Sequence, residues 1–108
     1  MVSIKGNDIS LTRGDTLFLT VALQNQDGTP YSPQAGDSLR FAMKKSYTSQ
    51  DLLILKQIPM ETLTLEIEPS DTKPLKFAAY VYDIELTDGA GHVFTPISGY
   101  FNVTEEVH

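Results

Sequence analysis

Between Ala78 and Val103 the chain alternates between apolar and polar residues, and few folds accommodate that pattern. Tyr80, Tyr82, Ile84 and Leu86 fall on one side of an extended strand; Val81, Asp83, Glu85 and Thr87 fall on the other. An acidic-glycine turn at Asp88-Gly89 follows, and then a second and a third alternating segment. A period of two with one apolar side is the signature of a half-buried strand. The expectation is a C-terminal β-meander whose last strand ends near Thr104.

The same punctuation runs through the rest of the chain. Gly14-Asp15, Asp27-Gly28, Gly36-Asp37, Pro59, Pro69, Asp88-Gly89 and Gly99 separate short apolar runs. Turn signals at such spacing predict a sandwich or barrel. In residues 16–24, Leu17, Leu19, Val21 and Leu23 form one face, and Phe18, Thr20, Ala22 and Gln24 the other. Pro30 and Pro33 bar the next segment from a central strand. In Ser38–Lys45, Leu39, Phe41 and Met43 face inward. Residues 51–58 are read as a strand, because Pro59 would stop a helix begun at Ser49 after barely two turns. Leu63, Leu65 and Ile67 are the inward side of a strand over 62–68. One helical turn is expected near 70–75, capped by Ser70 and ended by Pro74. An edge strand is expected around Ile9–Leu11. The fold class is therefore all-β, a single domain over 1–108. Its expected form is an immunoglobulin-like antiparallel β-sandwich of seven or eight strands.

Bulk chemistry narrows the function. The 108 residues carry a net charge of −6, which opposes binding to nucleic acid or to an anionic membrane. No secretory signal and no apolar run of membrane-spanning length are present in this sequence, so synthesis in the cytoplasm is expected. There is no cysteine, hence no disulfide, thiolate metal site or cysteine nucleophile.

Catalytic constellations are missing at the level of motif. The two histidines are His92, beside a turn, and the final residue, His108. Neither has a serine or carboxylate at a signature spacing, and no nucleophile elbow or phosphate loop occurs. No enzymatic activity and no cofactor are expected. Asp8, Asp15, Asp27, Asp37, Asp71, Asp83 and Asp88 lie mostly in or near turns, where aspartate bonds nearby backbone. They do not form a calcium-loop pattern, so no metal is expected. Arg13-Gly14-Asp15 spells an adhesion tripeptide, but its place is a turn entering a strand. Tyr80 and Tyr82 are expected to anchor backbone across the end of the sandwich, as in a tyrosine corner. Phe94 and Tyr100 alternate out of phase with their apolar neighbours. They are the candidate interface residues, since aromatics are enriched where subunits meet.

Several segments resemble a family of short immunoglobulin-like domains in tailed-phage and prophage structural proteins, most of all the N-terminal domain of phage upper baseplate proteins. The residues concerned are Arg13-Gly14-Asp15-Thr16, Asp27-Gly28-Thr29-Pro30-Tyr31, Leu39 to Lys45, Ile67 to Thr72, Tyr80 to Asp88, Gly91 and Ser98 to Thr104. Ala78 departs from the pattern, standing where such domains turn on a glycine. The resemblance implies a structural module of a tail, baseplate or fibre in the virion. Its partners would be other phage structural proteins or copies of itself, forming a homo-oligomer. The alternative expectation is a sandwich that binds carbohydrate on the host surface, although tryptophan, the usual stacking residue, is absent.

Overall fold

The computed structural model describes residues 2–25 and 27–105. Eight strands and one helical turn follow in order among them. They are β1 (Val2–Lys5), β2 (Asp8–Thr12), β3 (Leu17–Thr20), β4 (Ser38–Lys44), β5 (Leu52–Ile58), β6 (Thr64–Ile67), α1 (Pro69–Thr72), β7 (Ala78–Thr87) and β8 (Val93–Thr104). Six strands form one sheet in the order β1-β2-β8-β7-β4-β5, and β3 and β6 form a second. The chain is an all-β sandwich. The expected antiparallel pairing holds in every ladder but one: β2 runs parallel to β8. The sheet that carries β8, β7, β4 and β5 matches the G-F-C-C′ order of a variable-type immunoglobulin sandwich, with β3 and β6 in the places of strands B and E.

The inward residues foreseen from alternation fill the space between the sheets. Leu39, Phe41, Met43, Tyr82, Ile84 and Phe101 from the large sheet meet Leu17, Leu65 and Ile67 from the small one, all at least nine-tenths buried. Each such aliphatic or aromatic side chain stabilises the fold by roughly 1.5–3 kcal/mol relative to an exposed one. Three rings interlock at the centre. Phe41 stacks on Tyr82 at 5.4 Å, and Phe101 meets both edge-on at 6.1 and 6.4 Å.

Five expectations are corrected. Ile9–Leu11 is not at an edge: it lies in β2, between β1 and β8. The C-terminal meander is a two-strand hairpin, because residues 93–104 form one continuous strand through Gly99. Gly99 is not a turn; it stands opposite Tyr82 where the Asn7 carbonyl presses against the strand. The strand expected from Thr62 begins at Thr64, because Leu63 adopts a left-handed φ of 53°. Leu63 is held there by bonds on both sides: its N–H donates to the Pro59 carbonyl, and its carbonyl accepts from Val21. The helical turn is capped two residues earlier than expected, at Glu68, and without Ser70. The Glu68 N–H donates to the Asp71 carboxylate at 2.7 Å, and the Asp71 N–H to the Glu68 carbonyl at 2.9 Å. Pro69 supplies the preset φ of a first helical residue. Last, Phe94 is not out of phase with Ile97, because β8 carries an extra residue. Leu86 pairs with Phe94 but Ile84 pairs with Ile97, so a bulge at Thr95-Pro96 puts Phe94 and Ile97 on the same side.

Candidate interaction surface

Phe94 and Tyr100 are both about half exposed, at 53% and 51%. The register separates them. Tyr100 pairs with Val81, whose neighbours Tyr80 and Tyr82 point into the core, so Tyr100 lies on the outer face of the large sheet. Phe94 pairs with core-facing Leu86. It looks toward the second sheet, which with two strands does not reach far enough to cover it. The two candidate residues therefore belong to two different surfaces.

On the outer face, ladder partners fall into rows. Leu52, Lys44, Val81 and Tyr100 make one row; Leu55, Ala42, Asp83 and Ser98 make the next. Leu52, Leu53 and Leu55 of edge strand β5 are all exposed, at 40–57%. Sequence reading placed this strand but not its sides. In β4–β5 a bulge at Leu53 shifts the register, and four successive apolar residues hide any alternation. Beside these rows, Arg40 grips Glu85 with two nitrogens, Nε to Oε1 at 3.2 Å and Nη2 to Oε2 at 3.0 Å, with Asp83 of the second row at 4.0 Å from Nη1. Such a two-point contact fixes the guanidinium's orientation. A hollow of about 390 Å³ lies between these features, lined by Arg40, Lys44, Tyr47, Leu52, Val81 and Asp83. The arrangement sets exposed leucines and a tyrosine among the charges of Lys44, Asp83, Arg40 and Glu85, the mixture of apolar and polar groups found in protein contact surfaces.

Phe94 borders a second hollow of about 560 Å³ with Leu23, Asn25, Tyr31, Leu86 and Asp88. Its polar groups are largely engaged within the chain. The Tyr31 hydroxyl donates to Asp37 at 2.6 Å, which pushes the phenol up from its ordinary pKa. Asp88 accepts N–H bonds from His92 and Ala90 at 2.8 and 3.0 Å, and these hold its carboxyl below the usual carboxylate value.

The remaining sequence motifs take structural places. The Tyr80 hydroxyl donates to the Lys76 carbonyl at 2.7 Å, four residues upstream, as a tyrosine corner does. The Tyr82 hydroxyl donates to the Asn7 carbonyl. Arg13 lies over the Phe77 ring, 4.5 Å from its centre, and the Gly14 N–H donates to the buried Thr72 hydroxyl at 2.9 Å. The adhesion tripeptide is thus docked against the α1–β7 connection. His92 does have a carboxylate partner, contrary to the sequence reading: its Nδ1 lies 3.0 Å from Asp88 Oδ2. The pair clasps the β7–β8 turn, with the imidazole 71% exposed. His108 lies outside the described residues. Among those described, no group of three histidine or carboxylate side chains gathers in a metal-binding arrangement, and no helix is long and apolar enough to cross a membrane.

No protein-family model matches the chain, and no curated protein matches it.

Proposed function

We propose that this protein is a structural interaction module of a phage or prophage tail, baseplate or fibre, working in the virion by protein–protein contact. The observation that carries the reading is the outer face of the six-stranded sheet, where Leu52, Leu55 and Tyr100 stand exposed and β5, among the described residues, is the edge strand. Exposed leucines on an edge strand invite pairing, and natural proteins usually blunt such edges with charge. Copies of the chain docking there would bury those leucines and form a homo-oligomer. The phage assignment is supported by the strand-and-turn resemblance of Tyr80–Asp88 and Ser98–Thr104. It is tested by mass spectrometry of purified particles from the source bacterium. The chain is expected as a stoichiometric particle component; particles lacking it would count against the assignment.

The hollow beside Phe94 favours a second reading, binding of host-surface carbohydrate, because a half-exposed ring stands beside amide and carboxylate groups. Glycan-array binding lost in Phe94→Ala would support it. An array without hits would remove it.

A further inference from the structure

The second sheet has an open edge that faces apolar core. Among the described residues β3 pairs with β6 alone. The Val21 N–H donates to the Leu63 carbonyl at 2.7 Å, a single bond that continues the β3–β6 register. The Thr20 and Thr64 hydroxyls meet at 3.3 Å, as side chains do in a pair without backbone bonds, so the bonded positions are those in phase with Val21. In an antiparallel ladder bonded pairs alternate with pairs whose backbone groups point away. Leu19 and Leu17 therefore bond toward β6, while Thr20 and Phe18 present their N–H and C=O groups to the other side. That side is a cleft of about 500 Å³, a volume within the range of ligand pockets. Leu19, Thr20, Val21 and Ala22 form one wall, and Gly6 and Asn7 of the β1–β2 turn close it. The floor is Ile9, Tyr82, Ile84 and Ile97. The lining holds no Asp, Glu, Lys, Arg or His, in a chain that carries fourteen acidic and eight basic residues.

We propose that this cleft receives an extended segment of a partner protein, added as a strand on β3. The chemistry selects the occupant. Backbone donors and acceptors at a spacing of two residues call for another extended backbone. An uncharged apolar floor calls for neutral side chains, apolar at every second position, because a charge placed there would lose its hydration without a counter-ion. Main-chain bonds then give affinity, and the alternate side chains give selectivity. This surface is separate from the outer face of the large sheet, so either can fail without the other.

The probe is a capped heptapeptide alternating Thr and Val, flanked by one Lys at each end. It is titrated into the whole ¹⁵N-labelled protein and followed by amide shifts. Saturable shifts are expected at residues 18–22 and at Ile9, Ile84 and Ile97. A peptide with Asp in place of each Val, and one N-methylated at alternate residues, should bind at least about tenfold more weakly. Thr20→Pro removes an N–H that points away from β6, and Ala22→Glu puts a charge at the exposed mouth. Each should weaken peptide binding by about tenfold or more while the unfolding temperature stays near wild type. If Thr20→Pro fails to fold, Ala22→Glu decides alone. Absence of saturable shifts up to millimolar peptide, or shifts confined to other residues, overturns the proposal. A concentration-dependent dimer abolished by Ala22→Glu also overturns it, since the occupant would then be a second copy.

Discussion

Tyr82 and Asn7, 75 positions apart in the chain, are joined by a hydrogen bond from the phenol to the Asn7 carbonyl. The bond ties the β1–β2 turn to the centre of the large sheet, and the Tyr82 ring is 3% exposed. Burial, with a smaller contribution from the Asp8 carboxylate, pushes the phenol up to about 12. The neutral form is thus favoured by folding. Its contribution is complete below pH 10, the ordinary phenol value, and is lost as pH rises toward 12, amounting to roughly 2–3 kcal/mol. Tyr82→Phe removes the titration and leaves the Asn7 carbonyl without this donor. At neutral pH it should cost about 1–2 kcal/mol. Denaturant unfolding at a series of pH values checks both: the wild type should lose stability between pH 10 and 12, and the variant should lack that component.

Gly99 stands directly opposite Tyr82 and is small for a packing reason. A Cβ there would meet the Asn7 carbonyl oxygen at 2.6 Å and its carbon at 3.0 Å, both backbone atoms with little freedom to move. Gly99→Ala should destabilise by about 1–3 kcal/mol, a fall of several degrees or more in unfolding temperature. Calorimetry reads this, and an unchanged transition would contradict the close approach.

The helical turn offers a contrast between neighbours. Asp71 accepts the Glu68 N–H and pairs with Lys56 Nζ at 2.9 Å, whereas Ser70 is exposed. Asp71→Ala should cost about 1 kcal/mol, and Ser70→Ala should fall within about 0.5 kcal/mol of wild type. Asp71→Asn, which keeps an acceptor, should lie between them.

Alternation made the buried sides of β3, β4, β6 and β7 readable, because a period of two maps directly onto inside and outside. It failed where the count of residues is broken. The bulge at Thr95-Pro96 reverses Phe94 relative to the simple pattern, and the bulge at Leu53 conceals which leucines of β5 face solvent. Gly99 read as a turn because glycine usually breaks strands; its real cause, the Asn7 carbonyl, is a contact between segments far apart in sequence. The Asp88–His92 clasp was hidden for a simpler reason. A spacing of four suggests nothing in a β-chain until a hairpin turn folds one residue back on the other. Ser70 lost the cap to Asp71 because the chain enters the turn from Glu68, one residue before Pro69.

The two candidate interface aromatics should act independently. Phe94 and Tyr100 occupy different faces, so Phe94→Ala should leave self-association unchanged, and Tyr100→Ala should leave any ligand at the Phe94 hollow unaffected. The double variant should show the sum of the single effects within about 0.5 kcal/mol. Coupling beyond that would place both residues in one contact.

Sedimentation velocity of the whole chain, from dilute to concentrated solution, tests the outer face most directly. Reversible association is expected in the wild type, lost in Leu55→Asp and weakened in Tyr100→Ala, with Ala22→Glu behaving as wild type. A strict monomer at every concentration, or an oligomer indifferent to Leu55→Asp, would contradict docking of copies through that sheet.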